Sequence, residues 1–174
     1  MRWNIDYILE NEKLKLGFWD ILNYYPSIIF SLITLPLMIL SLIDKHWGSF
    51  IFISFLFSIS LLGYLSKKRY LKFTTLKTNL DIKTINKIIK DVVLSNNWRI
   101  KEKKDNFIIL TTRGSAVSWG EEITILFDKD RVLINSINDL DKKQIMVSGK
   151  RNKNNINKLV EAIEGFVFFL PKEK

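Results

Sequence analysis

The chain of 174 residues has no cysteine and a single histidine, His46. Disulfide frameworks, a thiol nucleophile and cysteine-ligated zinc or iron-sulfur centres are excluded, and so is any zinc motif that needs two histidines. Glycine (7) and proline (3) are scarce, and alanine occurs only at Ala116 and Ala162. Gly114 is not part of a phosphate-cradling glycine-rich loop, no internal repeat is visible, and the only linker-like composition is the basic junction Ser66 to Tyr70. Arginine (6) and alanine (2) are rare beside 25 isoleucines and 21 lysines, a skew of the kind that coding bias produces. Abundant lysine is thus poor evidence for any one anionic ligand.

Charge is missing most conspicuously from one stretch. Between Tyr25 and Lys67 the only formally charged residues are Asp44 and Lys45. They separate two almost wholly apolar runs, Pro26 to Ile43 and Ser49 to Leu65. At about 1.5 Å per residue each run makes a helix of roughly 26 to 27 Å, close to the ~30 Å hydrocarbon layer of a bilayer. The five residues Asp44 to Gly48 allow a tight connection and no further crossing, so residues 26–66 read as a transmembrane helical hairpin. Pro36 in the first run predicts a kink, with the Ser31 or Thr34 hydroxyl serving the carbonyl that proline leaves unpaired. About 25 mixed residues precede the first run and no small-residue cleavage site follows it, unlike a cleaved signal peptide.

Trp19, Tyr24 and Tyr25 before the first run, Trp47 in the connection, and Tyr64 and Tyr70 around the end of the second take headgroup-level positions. Lys67, Lys68, Arg69, Lys72 and Lys77 follow the second run with no acid among residues 67–77, against one lysine in the connection. The positive-inside rule then places both termini in the cytoplasm, the membrane being the bacterial inner membrane. Of the formal net charge of +9, residues 67–174 carry +10, with 23 basic against 13 acidic side chains. Such a cluster is drawn to anionic lipid by about 1 kcal/mol per residue near the surface. Residues 1–25 form an amphipathic segment, with Trp3, Tyr7, Leu14, Phe18, Ile21 and Tyr25 on a helical stripe interrupted at Asn11 and Gly17.

Residues 67–174 read as a cytoplasmic α+β domain in the order β-α-β-β-β-β-α. Leu71 to Leu76, Trp98 to Lys103, Phe107 to Thr112, Glu122 to Phe127 and Arg131 to Ile137 are strands, with a further piece possible at Gln144 to Ser148. Alternation from Trp98 to Lys103 predicts a strand with one buried and one wet face. Ile82, Ile85, Ile88, Ile89, Val92 and Val93 mark one helix, and Ile156, Leu159, Val160, Ile163, Phe166 and Val167 another. The expected fold is an antiparallel sheet of four to five strands with two helices on one face.

His46 falls in the hairpin connection, on the far side from the domain, so base catalysis there would rest on carboxylates. The pairs Glu121-Glu122, Asp128-Asp130 and Asp139-Asp141 lack the spacing of a calcium loop and read as solvated turn residues. Two stretches invite a ligand. The loop Arg113 to Glu121 could present Trp119 and Glu121 as a binding platform. The stretch Ser148 to Asn155, with Ser148, Lys150, Arg151, Asn152 and Lys153 foremost, leads into the last helix, where basic side chains and Ser and Asn groups meet a positive macrodipole end, the outline of an anion site.

The segment Trp119-Gly120-Glu121 before an Ile-Thr-Ile strand, with Gly149-Lys150 and Asn155-Ile156 opening a helix, resembles uncharacterised small bacterial membrane proteins with two N-terminal helices. The likeness covers roughly residues 70–168; it implies a membrane-anchored α+β domain and transfers no activity. The sequence therefore points to a non-catalytic domain at the inner membrane, without catalytic residue, metal or cofactor. Membrane lipid and a protein partner, a second copy or an anionic ligand are its expected contacts. The alternative is a subunit of a small membrane transport or channel assembly, and nucleic acid is not an expected partner.

Overall fold

A computed structural model describes residues 4–114, 120–142 and 149–169. The chain divides into two units, one made of residues 16–69 and the other of residues 1–15 together with 70–174.

The first unit is helical. α2 (Phe18–Tyr24) leads into α3 (Pro26–Ile43), whose proline at the first turn costs no hydrogen bond. A turn at residues 44 and 45 then reverses the chain into α4 (Trp47–Arg69). The two long helices pack along each other, and the Ser31 and Ser60 hydroxyls share a 2.7 Å hydrogen bond between them. α3 continues through Pro36, and the expected service of the Leu32 carbonyl, which Pro36 leaves without an N–H, changes: the Thr34 hydroxyl donates to the Phe30 and Ser31 carbonyls at 3.0 and 3.4 Å, and the Ser31 hydroxyl is engaged with Ser60. α4 is long and apolar enough to cross a membrane by length and composition, while α3 contributes a shorter apolar stretch, Ile29–Ile43. Its last turn carries Lys67, Lys68 and Arg69, the favourable sign for a helix C-terminus.

Sequence determines the second unit's layers through alternation. A five-stranded antiparallel sheet has the order β1 (Thr74–Lys77), β5 (Arg131–Asn138), β4 (Glu121–Asp128), β3 (Phe107–Thr111), β2 (Arg99–Lys103). Ile108 and Leu110 of β3, Ile123, Ile125 and Phe127 of β4, and Val132 and Ile134 of β5 share one face, as period-two spacing requires. Against them pack Ile85, Ile88, Ile89, Val92 and Val93 of α5 (Ile82–Ser95) and Leu159 and Ile163 of α6 (Gly149–Phe169). Both helices thus cover the same face, in an α+β domain with the expected element order. The other face is apolar as well: Phe107, Ile109, Leu126, Leu133 and Ile137 are buried.

Two expectations about the elements change. β2 is not a half-buried alternating strand: Ile100 is exposed, while Trp98, just before it, is buried. Ile100 is exposed because β2 is the edge strand; after it a register shift between Ile100 and Glu102, a bulge, leaves Lys101 as the extra residue and breaks the alternation. The N-terminal stripe also divides. α1 (Ile5–Asn11) ends where Glu12 turns into the left-handed region at φ 48°, and α2 begins after Gly17. Between them Lys13 bridges antiparallel to Lys72, Leu14 N–H donates to Leu71 O at 2.9 Å, and Phe73 N–H donates to Glu12 O at 2.8 Å. Ile8 and Leu14 are buried, and Arg131 of β5 donates to the Leu9 carbonyl and pairs with Glu12 at 3.2 Å. Residues 4–15 are therefore structural parts of the sheet unit. The expected strand piece at residues 144–148, Trp3, and Leu170 of the apolar C-terminus lie outside the described residues.

Candidate functional site

The polar chemistry of the sheet unit gathers at the end where β3 passes into β4. Gly120 makes this junction possible: its φ is 111°, and a Cβ there would lie 2.6 Å from the Thr112 carbonyl oxygen. The close approach lets Glu121 N–H donate to the Thr112 hydroxyl at 2.8 Å, and that hydroxyl donates to Glu121 Oε2 at 2.6 Å. Glu121 and Glu122 are consecutive strand residues, so their carboxylates leave the sheet on opposite faces.

The acidic residues depart from the reading as solvated turn positions. Glu121 and Glu122 belong to β4 and are 0% and 1% exposed, and Asp139 is buried as well. Asp130 and Asp141 are exposed, and Asp128 is half-buried and pairs with Arg131 across the β4–β5 hairpin at 2.7 Å. Local sequence suggested turns because charged pairs dominate it. Burial is tolerated because each carboxylate meets a cation. Glu122 pairs with Lys101 at 2.6 Å, and the same ammonium hydrogen-bonds Asp141 and lies 3.9 Å from Asp139, which also pairs with Lys142 at 3.2 Å. Burial by itself would lower the pKa of Lys101; its hydrogen bonds to Asp141 and Glu122 and the charges of Glu122 and Asp139 outweigh that and raise it. One oxygen from each of Glu122, Asp139 and Asp141 lies within 4.8 Å of the others, a spacing suited to a cation, and the Lys101 ammonium supplies it.

On the helix-covered face Glu121 Oε1 pairs with Arg151 Nε at 3.3 Å, and Arg151 Nη2 donates to the Arg113 carbonyl at 3.1 Å. Beside this pair opens a pocket of about 250 Å³ lined by Asn96, Trp98, Thr112, Arg113, Arg151, Asn154, Asn155 and Lys158. Arg151, Asn154, Asn155 and Lys158 have helical spacing i, i+3, i+4, i+7 and so line one flank of α6. Lys158 donates to the side-chain amide oxygen, Oδ1, of Asn96, the C-cap of α5. Among the described residues neither the Arg113 guanidinium nor the Lys158 ammonium has a carboxylate partner.

The residues expected to form the anion site at the start of α6 separate. Arg151 lines the pocket, whereas Lys150 and Lys153 are exposed and are not among its lining residues. Asn152 is buried: it accepts from the Ser136 hydroxyl at 3.1 Å and donates to the Asn138 side chain at 3.4 Å. Glu121, expected in the loop, is the first residue of β4, and Trp119 and Ser148 lie outside the described residues. Asn154 and Asn155 close the stretch that sequence reading took as the anion site, whereas Arg113, Trp98, Asn96 and Lys158 were not placed there. The signal for Lys158, with Arg151, Asn154 and Asn155, was present as a polar stripe beside the apolar one of the same helix.

The aromatic and basic residues assigned to the membrane interface also separate. Trp19 and Trp47 are exposed, 75% and 61%. Tyr24 and Tyr25 are buried and stack edge to face at 4.8 Å, and Tyr25 meets Tyr64 at 5.0 Å. Lys67 is buried too, donating to the Tyr24 carbonyl at 2.8 Å while the Tyr24 hydroxyl donates to the Lys67 carbonyl at 3.1 Å. This reciprocal latch joins the end of α2 to the last turn of α4, leaving Lys68 and Arg69 exposed. Tyr70 belongs to the sheet unit, where its carbonyl accepts from Asn135 at 2.7 Å and its ring abuts Gly149.

Comparison of the chain with protein-family models, with curated proteins and with solved structures gives no match.

Proposed function

We propose that the protein is a two-span inner-membrane protein whose hairpin, α3 and α4, holds a non-catalytic α+β domain at the cytoplasmic surface, where the domain binds an anionic ligand. One observation carries the anchoring: among the described residues, all large exposed hydrophobic side chains except Ile82, Leu94, Ile100 and Phe166 lie between Phe18 and Leu65. A water-facing surface of that composition is unfavourable by roughly 25 cal/mol per Å², and hydrocarbon removes the penalty. Both ends of the hairpin then face the cytoplasm, supported by the basic residues after Leu65 against the single Lys45 in the turn.

Binding rather than turnover is favoured by how the carboxylates are used. Glu121, Glu122 and Asp139 are each engaged by a cation, Arg151, Lys101 or Lys142, so the groups best placed for base catalysis serve as structural counter-ions. The anionic ligand is favoured over a protein partner by the pocket, which brings Arg113, Arg151 and Lys158 to one opening. The test is fractionation of the full chain. The reading expects it in membranes after alkaline carbonate washing and in solution only with detergent. Recovery in the aqueous fraction without detergent would overturn it.

A further inference from the structure

The geometry points to the pocket between α6 and the β2–β3 end of the sheet as a binding site for a phosphate group carrying two negative charges, a deepening that rests on the anionic-ligand reading above. Three cationic side chains line it, Arg113, Arg151 and Lys158. The buried Glu121 neutralises one by pairing with Arg151. Two positive charges remain, on Arg113 and Lys158, and a phosphate dianion balances them where a single carboxylate would leave one uncompensated. The donors also suit the charge: a planar guanidinium, an ammonium now resting on the neutral Asn96 oxygen, and the exposed Asn154 amide surround one opening. The volume, about 250 Å³, holds more than one phosphate, and buried Trp98 provides an apolar wall for the group to which the phosphate is attached.

The site differs from a helix N-terminus. Its α6 residues extend over two turns, from Arg151 to Lys158, and its remaining wall comes from Asn96 and Trp98 in the α5–β2 connection and from Thr112 and Arg113 just after β3. Lys150 and Lys153, on the same stretch of α6, serve as internal controls because they share its charge and lie outside the pocket.

The phosphate could come from a soluble metabolite or from a lipid headgroup, and one titration addresses both. Full-length protein in nanodiscs of phosphatidylcholine is titrated with inorganic pyrophosphate by calorimetry. Saturable one-to-one binding is expected, weakened at least tenfold in the double variant Arg113→Gln with Lys158→Gln, and changed less than twofold in Lys150→Gln with Lys153→Gln. Neither double variant disturbs a carboxylate partner, and unchanged thermal unfolding verifies their folds. Repeating the titration in discs containing phosphatidic acid, whose phosphomonoester headgroup can carry two charges, assigns the source: competition by the lipid marks a headgroup, an unchanged constant marks a soluble ligand. Absence of saturable binding in both lipids, or equal losses in the two double variants, overturns the site. Because membrane retention is measured separately, a failed titration of detergent-dependent protein refutes the pocket and leaves the anchoring intact.

Discussion

If the first 15 residues belong to the sheet unit, excising residues 16–69 and joining Lys15 to Tyr70 through a few Gly and Ser residues should give a folded, detergent-independent domain. The join is short because Leu14 N–H already lies 2.9 Å from the Leu71 carbonyl oxygen. Solubility follows because the excised unit contains nearly all the exposed large hydrophobic residues. The magnitude comes from Ile8 and Leu14, which are 0% and 2% exposed. Truncation of a buried Ile or Leu to Ala costs about 2–5 kcal/mol, against roughly 5–15 kcal/mol of total stability for a domain. Ile8→Ala in the joined domain should therefore lower the unfolding free energy by about 2–5 kcal/mol in urea titrations followed by circular dichroism. A fragment of residues 70–174 alone loses both side chains and the backbone bonds at Leu71 and Phe73, and should be much less stable. The reasoning fails if the fragment matches the joined domain within about 1 kcal/mol, or if the joined domain still requires detergent.

Three further outcomes follow from individual residues. Gly120→Ala should destabilise the joined domain by more than 1 kcal/mol, since ~1–3 kcal/mol attends strained backbone and a Cβ would also sit 2.6 Å from the Thr112 oxygen; unaltered urea midpoints would contradict this. Asn152→Ala removes the buried hydrogen bonds to Ser136 and Asn138 and should cost about 1–3 kcal/mol while altering pyrophosphate affinity less than twofold, so a large affinity loss would make Asn152 a ligand residue instead. Lys101 has a raised pKa when folded, so its stabilising contribution is complete below the unfolded lysine value of about 10.4 and is lost as pH rises through the folded value. Lys101→Met should accordingly lower stability at pH 7 and flatten the alkaline limb of the stability profile, and an unchanged limb would assign that limb to other groups.

The periodicities that define α5, α6 and the strands β3, β4 and β5 were legible because each of these elements buries a continuous face, so its apolar spacing is fixed by local geometry. The pairing of residues 12–14 with residues 71–73 was not, because it joins segments nearly 60 residues apart through backbone bonds that leave no side-chain pattern. β2 misled for a different reason. Its alternation is real, but β2 is the edge strand, so Ile100, paired with the core residue Leu110, is left exposed, and the bulge at Lys101 then breaks the phase of the residues that follow. The carboxylates were misread because burial of Glu121 and Glu122 depends on Arg151 and Lys101, which are distant in sequence and adjacent only in the folded sheet. The pocket lay partly within reach. Asn154, Asn155 and Lys158 follow Arg151 at helical intervals, but the start of α6 drew attention to consecutive basic residues instead of to one flank.

The absence of cysteine makes the hairpin testable by single-cysteine labelling with a membrane-impermeant maleimide in spheroplasts. His46→Cys, in the turn between α3 and α4, should be labelled in intact spheroplasts, and Lys129→Cys, in the β4–β5 turn, only after the membrane is permeabilised. Labelling of Lys129→Cys from outside, or protection of His46→Cys until permeabilisation, would contradict a two-span anchor with the sheet unit in the cytoplasm.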